Sequence, residues 1–231
     1  MVRVSIVMPT LNEEGGVQRT LLGALASPFH EIVVVDGGSR DRTREVVASV
    51  QARWPCVKVV TSEPGRARQM NAGAALCSGD ALLFLHADTL LPGGARAAIE
   101  TALADPRCVG GRFDVAFEPD TGWGRLIARM MNWRSRWSGI ATGDQALFVR
   151  RPVFERLRGF ADLPLMEDVE FCRRLKREGA LASLPIQVVT SFRRWEQDGP
   201  LRTILMMWSL RTLYWLGIHP RILAGRYGHV R

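Results

Sequence analysis

Several short stretches carry side chains able to do polar chemistry, and most of them follow apolar runs. In Phe84-Leu85-His86-Ala87-Asp88-Thr89, the run Ala81 to Leu85 stops at a histidine and a carboxylate. A strand that ends there delivers Asp88 to the crevice outside the carboxyl ends of an open α/β sheet, where such sheets bind ligands. Asp88 is therefore the leading candidate for a metal ligand, against the plainer reading of a cap or turn residue ahead of Pro92, Gly93 and Gly94. Asp36-Gly37-Gly38-Ser39-Arg40-Asp41 ends a second run: Asp36 offers an acceptor, the glycines allow a tight turn, and Asp41 can cap the next helix. A third run ends in Pro9-Thr10-Leu11-Asn12-Glu13-Glu14. Three strands delivering polar residues to one edge imply a pocket.

Arg66 and Arg68 stand in the first turn of a predicted helix, in Glu63-Pro64-Gly65-Arg66-Ala67-Arg68-Gln69-Met70-Asn71. The helix dipole disfavours cations there unless an anion is present, and a bound diphosphate would supply one. Leu165-Met166-Glu167-Asp168 places two carboxylates at another helix start. Acids there complement the dipole, and a fixed, partly desolvated carboxylate is also what a catalytic base requires. Gly143-Asp144-Gln145 and Ser191-Phe192-Arg193-Arg194-Trp195 add polar groups that read as substrate contacts or as turn and surface residues.

The elements that must position these residues alternate. Val4–Met8, Glu31–Asp36, Val57–Thr61 and Ala81–Leu85 read as buried parallel strands, with helices over Glu14–Ala26, Thr43–Arg53 and Arg66–Cys77 between them. After Asp105-Pro106 the pattern is mixed: strands over Gly111–Phe117, Gln145–Arg150 and Gln187–Ser191, and helices over Gly122–Trp137, Pro152–Leu157 and Glu167–Glu178. The expected layout is an α/β domain over residues 1–197, a first half 1–105 and a second half 106–197, followed by a C-terminal helical extension, 198–231.

The 231 residues are 47% apolar, enough for a sizeable core, and the net charge of +8 favours an acidic partner. Cys56, Cys77, Cys108 and Cys172 are scattered singly, so neither a disulfide framework nor a structural zinc site is indicated; with no signal-peptide pattern, a cytoplasmic protein is expected. The chain lacks Gly-x-Gly-x-x-Gly after its first strand and lacks Gly-Lys-Ser or Gly-Lys-Thr, which removes dinucleotide dehydrogenases and P-loop enzymes. Asp36, Asp88 and Asp168 would repel a polyanion, which argues against nucleic acid as partner. A sugar nucleotidyltransferase would open with a glycine-rich loop where this chain has Pro9-Thr10-Leu11-Asn12.

Taken in order, SIVMPTLNEE, EIVVVDGGSRDRT, GRARQMNAG, LLFLHADTLLP, GDQALFVRR and LMEDVEFCRRL resemble a family 2 glycosyltransferase with a GT-A fold, over about residues 3–195. The spacing and the tail are also similar to the subgroup called radical-SAM/selenodomain-associated transferase 2. The resemblance implies a mostly parallel central sheet flanked by helices, a nucleotide-diphosphate sugar as donor, an unidentified hydroxyl acceptor, and inversion at the anomeric carbon. It implies donor contacts from Pro9, Thr10, Asn12, Glu14, Asp36, Gly38, Ser39, Arg66, Arg68 and Asn71. Asp168 would be the base with Glu167 beside it, and Gly143, Asp144, Gln145, Arg193, Arg194 and Trp195 would lie on the acceptor side. Asp88 and His86 take the outer positions of the Asp-x-Asp motif that holds Mn²⁺ or Mg²⁺. With His86 in place of an acid, Asp88 is the principal expected ligand, and donor phosphates and water complete the shell. Arg193-Arg194-Trp195 is similar to the arginine-tryptophan motif of processive relatives but lacks the preceding glutamine pattern. A non-catalytic relative that binds a sugar nucleotide is the alternative.

Two segments stand apart. Gly122–Trp137 joins Trp123, Trp133 and Trp137 to Arg125, Arg129, Arg134 and Arg136; a core-packed helix with a basic outer face is the expectation, with a membrane interface or a stacked base as alternatives. Leu201–Leu216 predicts a helix of about 24 Å, short of the ~30 Å hydrocarbon core. It is too apolar to be solvated on all sides, so packing on its own domain or forming a homodimer is expected ahead of a peripheral contact with lipid.

Overall fold

In the computed structural model, which describes residues 1–225, the first four strands and three helices follow the anticipated alternation: β1 (Val4–Thr10), α1 (Val17–Leu25), β2 (Glu31–Asp36), α2 (Thr43–Gln51), β3 (Val57–Thr61), α3 (Arg66–Leu76) and β4 (Ala81–Phe84). Strands β1, β2 and β4 are buried throughout and read as largely apolar runs because helices cover both faces of the sheet there, while the edge strand β3 exposes Lys58 and Thr61. Ile6 and Met8 point into one apolar cluster, Val7 and Val35 into the other. The helix α3 lies against the sheet at Gly73, where any Cβ would come within 2.5 Å of Val7 Cγ1.

Next come β5 (Thr89–Leu90), α4 (Ala95–Leu103), β6 (Cys108–Glu118), α5 (Gly122–Ser138), β7 (Phe148–Arg150), α6 (Arg151–Arg156), α7 (Glu167–Leu175) and β8 (Ala180–Ser191). The eight strands form one sheet in the order β3-β2-β1-β4-β7-β6-β8-β5. Strands β3, β2, β1 and β4 are parallel, β7 runs against both β4 and β6, β8 is parallel to β6, and β5 is antiparallel to β8. The sheet is thus mixed, parallel in its first half.

Several expected strands differ in extent, and the one expected over Gly111–Phe117 runs from Cys108 to Glu118. The strand predicted from Gln145 begins only at Phe148, because Gly143–Gln145 forms a 3-10 turn closed by Ala146 at φ 45°. The last strand is longer than Gln187–Ser191: it pairs with β6 from Ala180 and passes an irregularity at which Phe113 faces Leu184 and Asp114 faces Gln187. Pro185, in that gap, has no N–H to give a ladder, which is why the apolar pattern looked broken there.

The chain then forms α8 (Arg193–Asp198), α9 (Pro200–Trp215) and α10 (Pro220–Ala224). Pro200 opens α9 at a position where no N–H is needed. Thr203 and Leu210 are buried and Met206, Leu213 and Tyr214 are partly buried against the domain, while Leu205, Trp208 and Trp215 are exposed. No helix among the described residues is long and apolar enough to cross a membrane.

Candidate donor and acceptor cleft

The adjacent parallel strands β2, β1 and β4 end on one edge, and the loops that follow them are tied together. Asn12 takes a left-handed conformation, φ 55°, which asparagine tolerates better than most residues. Its N–H donates to Ser39 Oγ and its Oδ1 accepts from Arg40 N, both at 2.9 Å. Glu14 Oε2 accepts from Arg42 N at 2.9 Å, and Asp36 accepts from the N–H groups of Gly38 and Ser39 at 3.1 Å. Asn12, Glu14, Asp36 and Ser39 therefore build the rim through backbone contacts. Below them, the fully buried Gln69 donates through Nε2 to Thr10 O at 2.7 Å and to Val35 O at 2.9 Å, clamping β1 to β2.

A cleft of about 530 Å³ opens at this edge. Of the expected donor residues, Pro9, Thr10, Asn12 and Arg66 line it, with His86 and Asp88 on its floor and Asp144, Arg193, Arg194 and Trp195 from the second half. Arg68 faces away and pairs with Asp162 at 2.9 Å and Glu63 at 2.6 Å. Asn71 exchanges two hydrogen bonds with the backbone of Phe160, and Gln145 is buried beneath α5, donating to Ser135 Oγ at 2.9 Å. Trp195 packs on Phe117 and Phe192 at centroid distances of 6.0 and 6.2 Å.

The expected base lies in a small adjoining cavity of about 20 Å³ lined by Arg66, His86, Gly143, Glu167 and Asp168. Asp168 Oδ2 accepts from Gly143 N at 3.0 Å, and Oδ1 from Val169 N at 2.7 Å. Burial, and then the charge of Glu167, push the Asp168 carboxyl up to about 6; Arg66 opposes the shift. Glu167 is buried and holds Arg66 at 3.3 Å. Burial alone would raise Asp144, but its hydrogen bond to His86 and the charges of His86, Arg66 and Arg194 hold it below the usual carboxylate range. His86 Nδ1 is 3.3 Å from Asp144 Oδ1, and Nε2 lies so close to Gly143 that a Cβ there would sit 2.3 Å from it.

Three residues escaped the sequence reading. Glu13, not Glu14, faces the cleft: Arg193 Nη2 is 3.4 Å from its Oε2, and burial together with the charge of Asp88 raises its carboxyl. Gln69 stands one helical turn after Arg66, which was the available signal. Arg134, which the sequence pattern places on a basic outer face, turns its guanidinium inward toward Asp168 and Asp144, and burial lowers its pKa.

Asp88 Oδ1 accepts from Thr89 Oγ1 at 3.3 Å and Thr190 Oγ1 at 3.5 Å. Among the described residues no three His, Cys, Asp or Glu side chains gather as a metal-binding group. An oxygen-seeking cation held by Asp88 fits this cleft when phosphate oxygens and water complete its shell.

The family model for glycosyl transferase family 2 matches residues 5–161. The chain is 28% identical over 236 residues to a Bacillus subtilis protein named Probable glycosyltransferase YdaM, an alignment covering 91% of this chain and 54% of that protein. Two solved structures share the architecture. TarS of S. aureus in complex with UDP-GlcNAc superposes with a TM-score of 0.66 at 17% identity, over 82% of this chain and 58% of that one. The mannosyltransferase PcManGT of Pyrobaculum calidifontis in complex with GDP-Man and Mn²⁺ gives 0.64 at 23%, over 81% and 56%. The fold is the GT-A architecture, and the chain belongs to glycosyl transferase family 2. It spans about half the length of the Bacillus relative.

Proposed function

We propose that this protein transfers a sugar from a nucleotide-diphosphate sugar to an acceptor hydroxyl, with inversion and with help from a divalent cation. The observation that carries the reading is the cleft itself, where Asp88 shares about 530 Å³ with Arg66, Arg193 and Arg194 at the ends of parallel strands. Those guanidinium groups suit a diphosphate, and the rim built by Asn12, Asp36 and Ser39 is where the base would lie. Asp88 would hold Mg²⁺ or Mn²⁺, which supplies charge neutralisation as the nucleoside diphosphate departs. The complex of PcManGT with GDP-Man and Mn²⁺ supports both donor class and metal by analogy.

Asp168 takes the proton of the acceptor hydroxyl as it attacks the anomeric carbon. Its raised pKa suits a base that works near neutrality, and Gly143 N fixes its second oxygen. Glu167 orients Arg66, and Asp144 and Trp195 flank the acceptor. Membership of the radical-SAM/selenodomain-associated subgroup is part of the same proposal, on the strength of motif spacing and tail. Incubation with UDP- and GDP-sugars and a panel of hydroxyl acceptors, followed by assay of released nucleoside diphosphate, tests the reading. Acceptor-stimulated release supports it; release from none, with the protein folded, leaves the non-catalytic binding alternative.

A further inference from the structure

The excess positive charge of the chain is confined to two segments. Gly122–Ser138 and residues 199–231 together contain nine arginines and no Asp or Glu, so the rest of the chain carries no net positive charge. On α5, Arg134 is turned inward and Arg125 and Arg136 pair with Asp120 and Asp114, so Arg129 and, on α9, Arg202 carry the outward charge. Both segments also turn apolar side chains outward. On α5 the exposed Trp123, Leu126, Met130, Trp133 and Trp137 recur at alternating steps of three and four, one stripe along the helix. Trp133 and Trp137 are 69% and 81% exposed and stack with centroids 6.5 Å apart and planes at 4°. On α9, Leu201, Leu205, Trp208 and Trp215 form a second exposed stripe.

The two stripes approach each other around the last turn of α7. Lys176 Nζ reaches Ser138 O at the end of α5 at 3.4 Å, and Arg173, one turn earlier, stacks over the Trp215 ring at 4.8 Å. Inward from the α9 stripe, Met207 lines the cleft. The edge of this face is therefore also the edge of the proposed active site.

We propose that the outer faces of α5 and α9 dock on an anionic lipid bilayer. Charge complementarity selects this occupant. A second copy of the chain would bring Arg129 of α5 and Arg202 of α9 against their own kind with no carboxylate on either helix to pair with them, whereas anionic headgroups meet them directly. Tryptophan at the level of the headgroups, flanked by arginine, is the composition of a helix lying in the interface. Neither α5 nor α9 needs to enter the hydrocarbon core, and neither is long and apolar enough to cross it. This inference is independent of the sugar-transfer reading.

The test is co-sedimentation of the 231-residue protein with vesicles of phosphatidylcholine, with and without phosphatidylglycerol, and tryptophan quenching by brominated phosphatidylcholine in the anionic vesicles. Binding roughly tenfold or more tighter to the anionic vesicles at low salt is expected, with quenching. The triple variant Trp133→Ala, Trp137→Ala, Trp208→Ala changes exposed side chains; it should fold with an unchanged melting temperature and lose both signals. No binding to anionic vesicles at low salt overturns the proposal. So does binding that is undiminished in the triple variant, which would be adsorption by charge alone. A tryptophan-dependent dimer in sedimentation velocity without lipid also overturns it, by assigning the face to a second copy.

Discussion

Arg66 Nη1 lies 3.3 Å from Glu167 Oε1 and joins the first turn of α3 to the first turn of α7, residues that are 101 positions apart in the chain. The pair makes one electrostatic unit of the proposed donor and acceptor sides. Arg66 satisfies a buried carboxylate and also restrains the upward shift of Asp168. Removing Arg66 leaves two carboxylates facing each other with less compensation. For Arg66→Ala, the acid limb of the pH–rate profile is expected to move to higher pH, in addition to any loss in donor KM. A limb that stays in place would separate Arg66 from the proposed base.

Asp168 itself gives the clearest dependence on pH. With its carboxyl near 6, kcat/KM should fall with unit slope as pH drops below about 6, and Asp168→Asn should lose roughly 10²–10⁴ in rate. Stability should move the other way. A carboxyl raised in the folded state binds its proton more tightly than in the unfolded chain, so its stabilisation is present at acid pH and is lost as pH rises through about 6. Asp168→Asn, which carries no charge to bury, is expected to melt at or above the wild-type temperature at pH 8. Thermal denaturation at pH 5 and pH 8 checks this; a lower melting temperature for the variant at pH 8 would contradict it.

Beneath α5, Asp114 holds the buried Arg112 at 2.5 Å and is also bonded by Arg136. Burial already pulls the Arg112 pKa down against the support of Asp114. Asp114→Ala strands that guanidinium without its carboxylate, and a loss of about 3–5 kcal/mol is expected in chemical denaturation. Arg136 is about half exposed, so Arg136→Ala should cost under about 1 kcal/mol.

What could be read from the chain follows from how local each signal is. Strands β1, β2 and β4 are legible because both faces of each are buried, β3 because of its β-branched residues although it is a half-exposed edge strand, and Asp88 because an apolar run stops just before it. Glu13 and Glu14 could not be told apart in the sequence. The left-handed turn at Asn12 decides which of the two faces the cleft, and that turn is fixed by Ser39 and Arg40, more than 25 residues away. The face of α5 was harder still. Its buried side includes Asn132, which exchanges hydrogen bonds with both backbone groups of Val115, and Ser135, which accepts from Gln145. Polar residues inside and tryptophans outside invert the usual pattern, so the outer face was expected to be merely basic. Arg68 matched a motif position, yet its direction depends on Asp162 in a distant loop.

The central claim is a donor site organised around Asp88, and calorimetric titration of the purified protein with UDP, GDP and their sugars, with and without Mn²⁺, tests it most directly. One nucleotide is expected to bind in a metal-dependent manner in the wild type, with that binding lost in Asp88→Ala at an unchanged melting temperature. Binding that is equally tight without metal, or undiminished in Asp88→Ala, would contradict the proposed role of Asp88, and no binding to any nucleotide by the folded protein would remove the donor site altogether.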